Sequence, residues 1–221
     1  MKNVLKVSMI CVCMLCLVGS ACRKEKNPYE GKIHAEGQVL EKGLIKKPIP
    51  NATVILYELT SEGAFQSVKF KVIDSTRTDA NGKYVIERDA AGLSGSYHIN
   101  ARGDEAQFWN RYDEPLLGGN IIEGQKTVNT LFIQPYGFIK MHLKNISPVD
   151  NQDVIVIGGS WSGASETHQG QNVNYPIIRR CLANDTIEVG YLVRKTGLID
   201  KYGKEKYFLN SHDTLKINIL Y

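Results

Sequence analysis

Apolar and polar residues alternate along most of the chain beyond residue 30. Ala52, Val54 and Leu56 alternate with Thr53, Ile55 and Tyr57. Tyr97, Ile99 and Ala101 alternate with His98, Asn100 and Arg102, and Ile139, Met141 and Leu143 with Lys140, His142 and Lys144. The same period runs through Ile187, Val189, Tyr191 and Val193, and again through Leu215, Ile217, Ile219 and Tyr221. A period of two predicts strands with one face buried and one wet. No apolar stripe at helical spacing runs for a dozen residues. Short strands parted by Gly, Pro, Asn and Asp clusters predict an all-β chain built of antiparallel sandwiches.

The patterning is weakest around DEAQFWNRYDEPLLGGNIIEG, between about residues 104 and 128. A domain boundary is expected there. It divides the chain into a first sandwich over 32–105, a connection over 106–128 and a second, Ig-like sandwich over 129–221.

The first residues give an address. Lys2 and Lys6 precede an apolar run from Val7 to Val18, which is followed by Gly19, Ser20, Ala21 and Cys22. A basic start, a short apolar run and small residues at its end describe a secretory signal over 1–21. About a dozen apolar residues are too few to span a bilayer, which needs roughly 20. The small residues before Cys22 resemble the lipobox of bacterial lipoproteins, with Gly19 where that family has Leu. The resemblance implies lipidation of Cys22, a tether over 22–31 and attachment to the outer membrane, as in Bacteroidota lipoproteins. Glu25 is the one acidic residue in RKEK at 23–26, so the membrane face is left open.

Of five cysteines, three leave with the signal, Cys22 carries the lipid, and Cys181 remains. One thiol forms no intramolecular disulfide. Cys181 has no neighbouring His and is expected to be a buried, inert thiol on a strand. The chain holds 27 Lys and Arg against 23 Asp and Glu; without Lys2 and Lys6 the balance is 25 to 23. That near-neutrality gives no argument for nucleic acid.

DSTRTDANGKYVIE, residues 74–87, offers two readings. With Gly82 at position 6 of a calcium loop, Asn81 and Asp79 fall at positions 5 and 3. Positions 1 and 12 are then Arg77 and Arg88, where carboxylates are required. A hairpin accounts for more of the letters: Asn81-Gly82 is a strong turn signal, and Asp79 can bond the backbone two residues on. The order GQVLEKG, KPIPNATVILYE, TDANGKY and SYHINARGDE resembles the carboxypeptidase regulatory-like (transthyretin-like) domain. Gly37, Val39, Pro48, Pro50, Ala52, Val54, Thr78, Asp79, Gly82, Tyr84, Tyr97, Ile99 and Ala101 carry the likeness. It implies a sandwich fold over about a third of the chain and no activity of its own. IQPYGFIKMHLKN, residues 133–145, is similar to the entry of the second sandwich in two-domain Bacteroidota lipoproteins.

Catalytic motifs are wanting. GGSWSGAS at 158–165 fails the G-x-S-x-G elbow at both Ser160 and Ser162. The five histidines show no H-E-x-x-H spacing, so no metal or cofactor is expected. Arg102-Gly103-Asp104 spells an adhesion tripeptide at the end of an expected strand. Phe108, Trp109, Tyr112 and Trp161 are candidates for stacking on a ligand; packing of the two sandwiches is the other reading of the first three. Asp74-Ser75, Asp185-Thr186 and Asp213-Thr214 resemble the O-glycosylation acceptor motif of exported Bacteroidota proteins, with Ser75, Thr186 and Thr214 as acceptors. The expected function is a lipid-anchored, non-enzymatic envelope module that binds a glycan or an envelope protein. The alternative is an assembly subunit pairing through β-edges.

Overall fold

The computed structural model describes residues 27–60, 69–93, 96–110, 119–160 and 165–221. The signal segment, Cys22, Tyr112 and Trp161 lie outside these residues. All regular structure within them is β-strand. The strands are β1 (Lys32–Glu41), β2 (Thr53–Thr60), β3 (Lys69–Arg77), β4 (Lys83–Asp89), β5 (Ser96–Arg102), β6 (Phe108–Trp109), β7 (Gly119–Ile121) and β8 (Lys126–Lys144). They continue with β9 (Val154–Gly159), β10 (Glu166–Gln169), β11 (Asn174–Leu182), β12 (Asp185–Arg194), β13 (Lys201–Leu209) and β14 (Thr214–Leu220).

The alternating positions turn inward as the pattern predicts. Val54, Leu56 and Ile99 close one core with Ile33, Val39, Leu131 and Ile133. Ile139, Met141 and Leu143 close a second with Ile155, Ile157, Ile187, Val189 and Ile217. At roughly 25 cal/mol per Å² of apolar surface removed from water, each core is the main force holding its two sheets together. Cys181 lies in the second core as expected, and burial pushes its thiol up to about 11.

The two sandwiches share one topology. In the first, β1 pairs with β4 antiparallel and with the first half of β8 parallel, while the facing sheet runs β3-β2-β5-β7. In the second, the second half of β8 pairs with β11 antiparallel and with β14 parallel, and the facing sheet runs β10-β9-β12-β13. Even the register repeats. Thr53 pairs with Arg102 and Leu56 with Ile99, as Val154 pairs with Arg194 and Ile157 with Tyr191. No sequence repeat announces this, because a sandwich needs only apolar residues at alternate positions, and many sequences supply them.

β8 is the last strand of the first sandwich and the first strand of the second. Ile133 is its last residue paired with β1, and Tyr136 its first paired with β11. Pro135, which has no N–H to give a ladder, stands at the change of partner, opposite Phe108 of β6. The cores therefore divide near Pro135 rather than at the boundary expected at 128/129. Residues 119–121 and 108–109, expected in the connection, are strands of the sheets. Patterning could not reveal this, because an alternating strand keeps its period while it passes from one core to the next.

The junction is clasped from the side as well. Asn184, in the turn between β11 and β12, is 1% exposed and has φ +58°. Its side chain accepts from Ile45 N–H at 2.9 Å and donates to the Lys42 and Ile45 carbonyls at 3.2 and 2.5 Å. Its carbonyl accepts from Leu44 N–H at 3.0 Å. Gly43, φ +125°, passes so close that a Cβ there would sit 2.1 Å from the Asn184 carbonyl oxygen. Ser211 donates to the buried Glu41 carboxylate, and Phe108 meets the ring of His212 edge-on at 5.0 Å.

The TDANG stretch is the β3–β4 turn. The Asp79 carboxylate accepts from the N–H groups of Asn81 and Lys83, each at 2.8 Å. Gly82 takes φ +72°, the left-handed value that the turn requires. Thr78 Oγ1 donates to the Ile49 carbonyl and accepts from Ala52 N–H, which fastens the PIPNA segment to the hairpin.

Asn184→Ala leaves Ile45 N–H and two carbonyls without their partner and is expected to cost about 2–4 kcal/mol of stability. Gly43→Ala should cost a comparable amount. Urea unfolding of both variants checks this, and a midpoint unchanged from wild type would show that the clasp contributes nothing.

Candidate functional site

The described chain starts at Asn27, beside the Lys126 end of β8, where Asn27 Nδ2 donates to the Gly124 carbonyl at 2.8 Å. At about 3.3 Å per residue, β8 carries the fold roughly 60 Å away from that point. The far end is formed by the segment 145–153, the β10–β11 turn, the β12–β13 turn and Tyr221. An open cleft of about 490 Å³ lies there, lined among others by Ile146, Tyr191, Lys195, Leu198, Ile199 and Tyr202.

A buried polar knot shapes the rim. Asp153 is fully buried and accepts from Asn145 Nδ2 at 2.8 Å and Val149 N–H at 2.9 Å. Lys195 Nζ donates to Asn145 Oδ1 at 2.9 Å and the Ser147 carbonyl at 2.7 Å, and lies 5.3 Å from the Tyr221 ring. Burial by itself would raise the Asp153 carboxyl. The donors from Asn145, Val149 and Asp150 and the charge of Lys195 outweigh it, so the group sits below its ordinary value. Burial, with the neighbouring Tyr175 and Asp153, pushes the Tyr221 phenol up to about 12.

Over this knot the chain exposes apolar side chains. Ile199 is 91% exposed and Tyr202 76%, with Leu198, Ile146, Val149 and Leu220 also exposed. The β12–β13 turn is held by Leu198 N–H to the Lys195 carbonyl at 3.0 Å and by the Arg194–Asp200 ion pair at 3.0 Å. A shallower depression of about 460 Å³ continues from Tyr202 over Leu192 and Val156, where Gly158 and Gly190 form its floor. Contiguous exposed apolar surface of this kind marks an interaction site more often than chance would give.

The residues singled out from the sequence fare unequally. Phe108 is buried in the first core and against His212, so it is not available to stack on a ligand; the packing reading holds for it. Trp109, next to it, turns outward and is 38% exposed at the junction, pairing with Gln134. Tyr112 and Trp161 fall outside the described residues. Arg102-Gly103-Asp104 closes β5 in a turn, where Asn110 brackets Gly103 from both sides at 2.9 and 2.8 Å. Ser75, Thr186 and Thr214 are exposed, and each follows an Asp whose carboxylate accepts its N–H. Sequence reasoning missed Leu198 and Ile199. The available signal was GLID, two large apolar residues in a turn, where polar residues are the rule.

No protein-family model matches the chain, and no curated protein matches it. Solved structures give remote likenesses. The Bacillus anthracis TIE protein is 11% identical over 85% of this chain and 34% of its own, with a TM-score of 0.37. A streptococcal ancillary pilin is 10% identical over 85% of this chain and 62% of its own, at 0.35. A DUF3823 family protein from Bacteroides ovatus is 13% identical over 79% of this chain and 97% of its own, at 0.29. This chain thus spans about a third of the first and under two thirds of the second.

Stability from the ionised Asp153 is present above the group's unfolded value and lost as pH falls through its lower folded value. Wild type should therefore lose stability below about pH 4, and Asp153→Asn, less stable at neutral pH, should show a flatter acid limb. Thermal melts of both proteins across that range decide it; parallel curves would remove Asp153 from the account.

Proposed function

We propose that this chain is a non-enzymatic, lipid-anchored module of the cell envelope, held to the outer membrane through Cys22, and that it binds a protein partner at the far end of its second sandwich. The first sandwich serves as a carboxypeptidase regulatory-like spacer. One observation carries the reading. The β1–β2 loop of the first sandwich is bonded to the second sandwich through the Lys42–Ile45 backbone and Asn184, although the side chains of Leu44 and Ile45 stay exposed. The equivalent end of the second sandwich is left open among the described residues, and it bears Ile146, Leu198 and Ile199.

Aliphatic side chains favour a protein over a glycan. Sugar hydroxyls need convergent acceptors, and the one buried carboxylate at this end, Asp153, is occupied by Asn145 and backbone donors. A photo-crosslinker placed at Ile199 of the full-length protein in intact producing cells should give a discrete protein adduct. Leu198→Asp should reduce it severalfold while the melting temperature stays put. An adduct no stronger than from the exposed position Lys206, or one indifferent to Leu198→Asp, would sink the proposal.

Assembly through strand edges has one observation in its favour. β13, an edge strand, carries Lys201, Lys204 and Lys206, which discourage pairing, whereas β14 carries only Lys216. Ser75, Thr186 and Thr214 are further proposed as O-glycan acceptors. A native intact mass equal to that of the unglycosylated lipoprotein would remove that assignment.

A further inference from the structure

The outer faces of the two strand-sharing sheets are structurally equivalent, yet their charges are arranged differently. On the first sandwich Lys32, His34 and Lys126 each meet an acid, whereas Lys83 at the start of β4 makes no ion pair among the described residues. Lys32 pairs with Glu87 at 2.6 Å, His34 lies 3.0 Å from the same carboxylate, and Lys126 pairs with Glu36 at 2.7 Å. On the second sandwich, the outward positions of β11, β8 and β14 carry Lys140, Lys144, Arg180 and Lys216 and no carboxylate. None of the four makes an ion pair among the described residues. Lys216 stands directly opposite Lys140 in the parallel ladder, with strands about 4.8 Å apart. Like charges in that position destabilise a sheet. A fold that retains such a pair, without the acids its sister face uses, leaves the charge available to an outside partner.

The same face is apolar between its charges. Ile178 pairs with Lys140 and is 55% exposed; Phe138, opposite Arg180, is 37% exposed. Arg180 lies 4.3 Å over the ring of Tyr136. The face is a sheet surface, and its amides, Asn174 and Asn218, lie on its two outer strands. Cations interleaved with exposed aliphatic and aromatic side chains on a flat surface match a layer of anionic headgroups with acyl chains beneath, as on amphipathic interfacial segments.

We propose that this basic face of the second sandwich lies against an anionic bilayer surface and binds phosphate-bearing lipid headgroups. The opposite sheet, with Leu192 and Tyr202, then points away from the membrane, and the open end stays accessible from the side. The contact is separate from the lipid on Cys22 and from the cleft at Ile199.

Residues 27–221 contain the fourteen strands and both cores of the described residues, so this segment, free of any lipid, serves as the test protein. It is sedimented with vesicles of phosphatidylcholine alone and of phosphatidylcholine with about one third phosphatidylglycerol, each cation near the surface being worth about a five-fold change in partitioning. Binding to the anionic vesicles only is expected, with a steep loss between about 0.1 and 1 M salt. The pair Lys140→Glu and Lys216→Glu should weaken it at least about 25-fold, while Leu198→Asp leaves it unchanged. If the paired variant melts early, Arg180→Glu provides the same comparison. Equal sedimentation with both vesicles, no effect of charge reversal, or binding to an insoluble anionic polysaccharide without binding to the vesicles would overturn the proposal.

Discussion

A single strand belongs to two sheets here, and the rest of the architecture follows from that sharing. β8 runs nineteen residues and changes partners at Pro135, from β1 behind it to β11 ahead. A strand in both ladders leaves no linker at which the sandwiches could swing. Bending it would break main-chain hydrogen bonds on at least one side, each worth about 0.5–1.5 kcal/mol net. Asn184 and Gly43 then need only close the flank, and the buried Glu41 finds its donor from Ser211 across the same seam.

Because the two halves repeat one topology, they serve as controls for each other. Where they agree, in register and inward positions, the residues are those any such sandwich needs. Where they differ, the difference needs another reason. The first sandwich has its β1–β2 loop bonded to its neighbour and an outer face on which Lys32, His34 and Lys126 meet acids. The second has an open apolar end and an outer face of unpaired cations. Burial and pairing stabilise a fold, so surfaces left apolar or charged are not explained by folding. They lie on the half remote from Asn27, beyond the Lys144 end of β8.

Local chemistry carries the details that hold these surfaces in place. Asp153, buried and bonded to Asn145 and Val149, sets the segment that bears Ile146, and Lys195 ties it to the β12–β13 turn. Removing a buried carboxylate from such a knot frees several donors at once, and the cleft rim would lose its shape before either core was disturbed.

Much was determined by the sequence alone. The alternation at Val54–Leu56, Ile139–Leu143 and Ile187–Val193 fixes an all-β chain, because a period of two makes sense only on a pleated surface with one dry face. Asp79 and Gly82 fix their turn for local reasons, a side-chain acceptor two residues from its donor and a backbone that needs φ above zero. Other features were decided only by the tertiary structure. Whether Phe108 faces solvent or core depends on His212, a hundred residues away in the chain. Whether Lys140 is neutralised depends on what stands opposite it, and the ladder places Lys216 there. The open end at Ile199 is likewise invisible in a list of residues. Period and turn chemistry act between neighbours, whereas exposure and unpaired charge are properties of the assembled sheets.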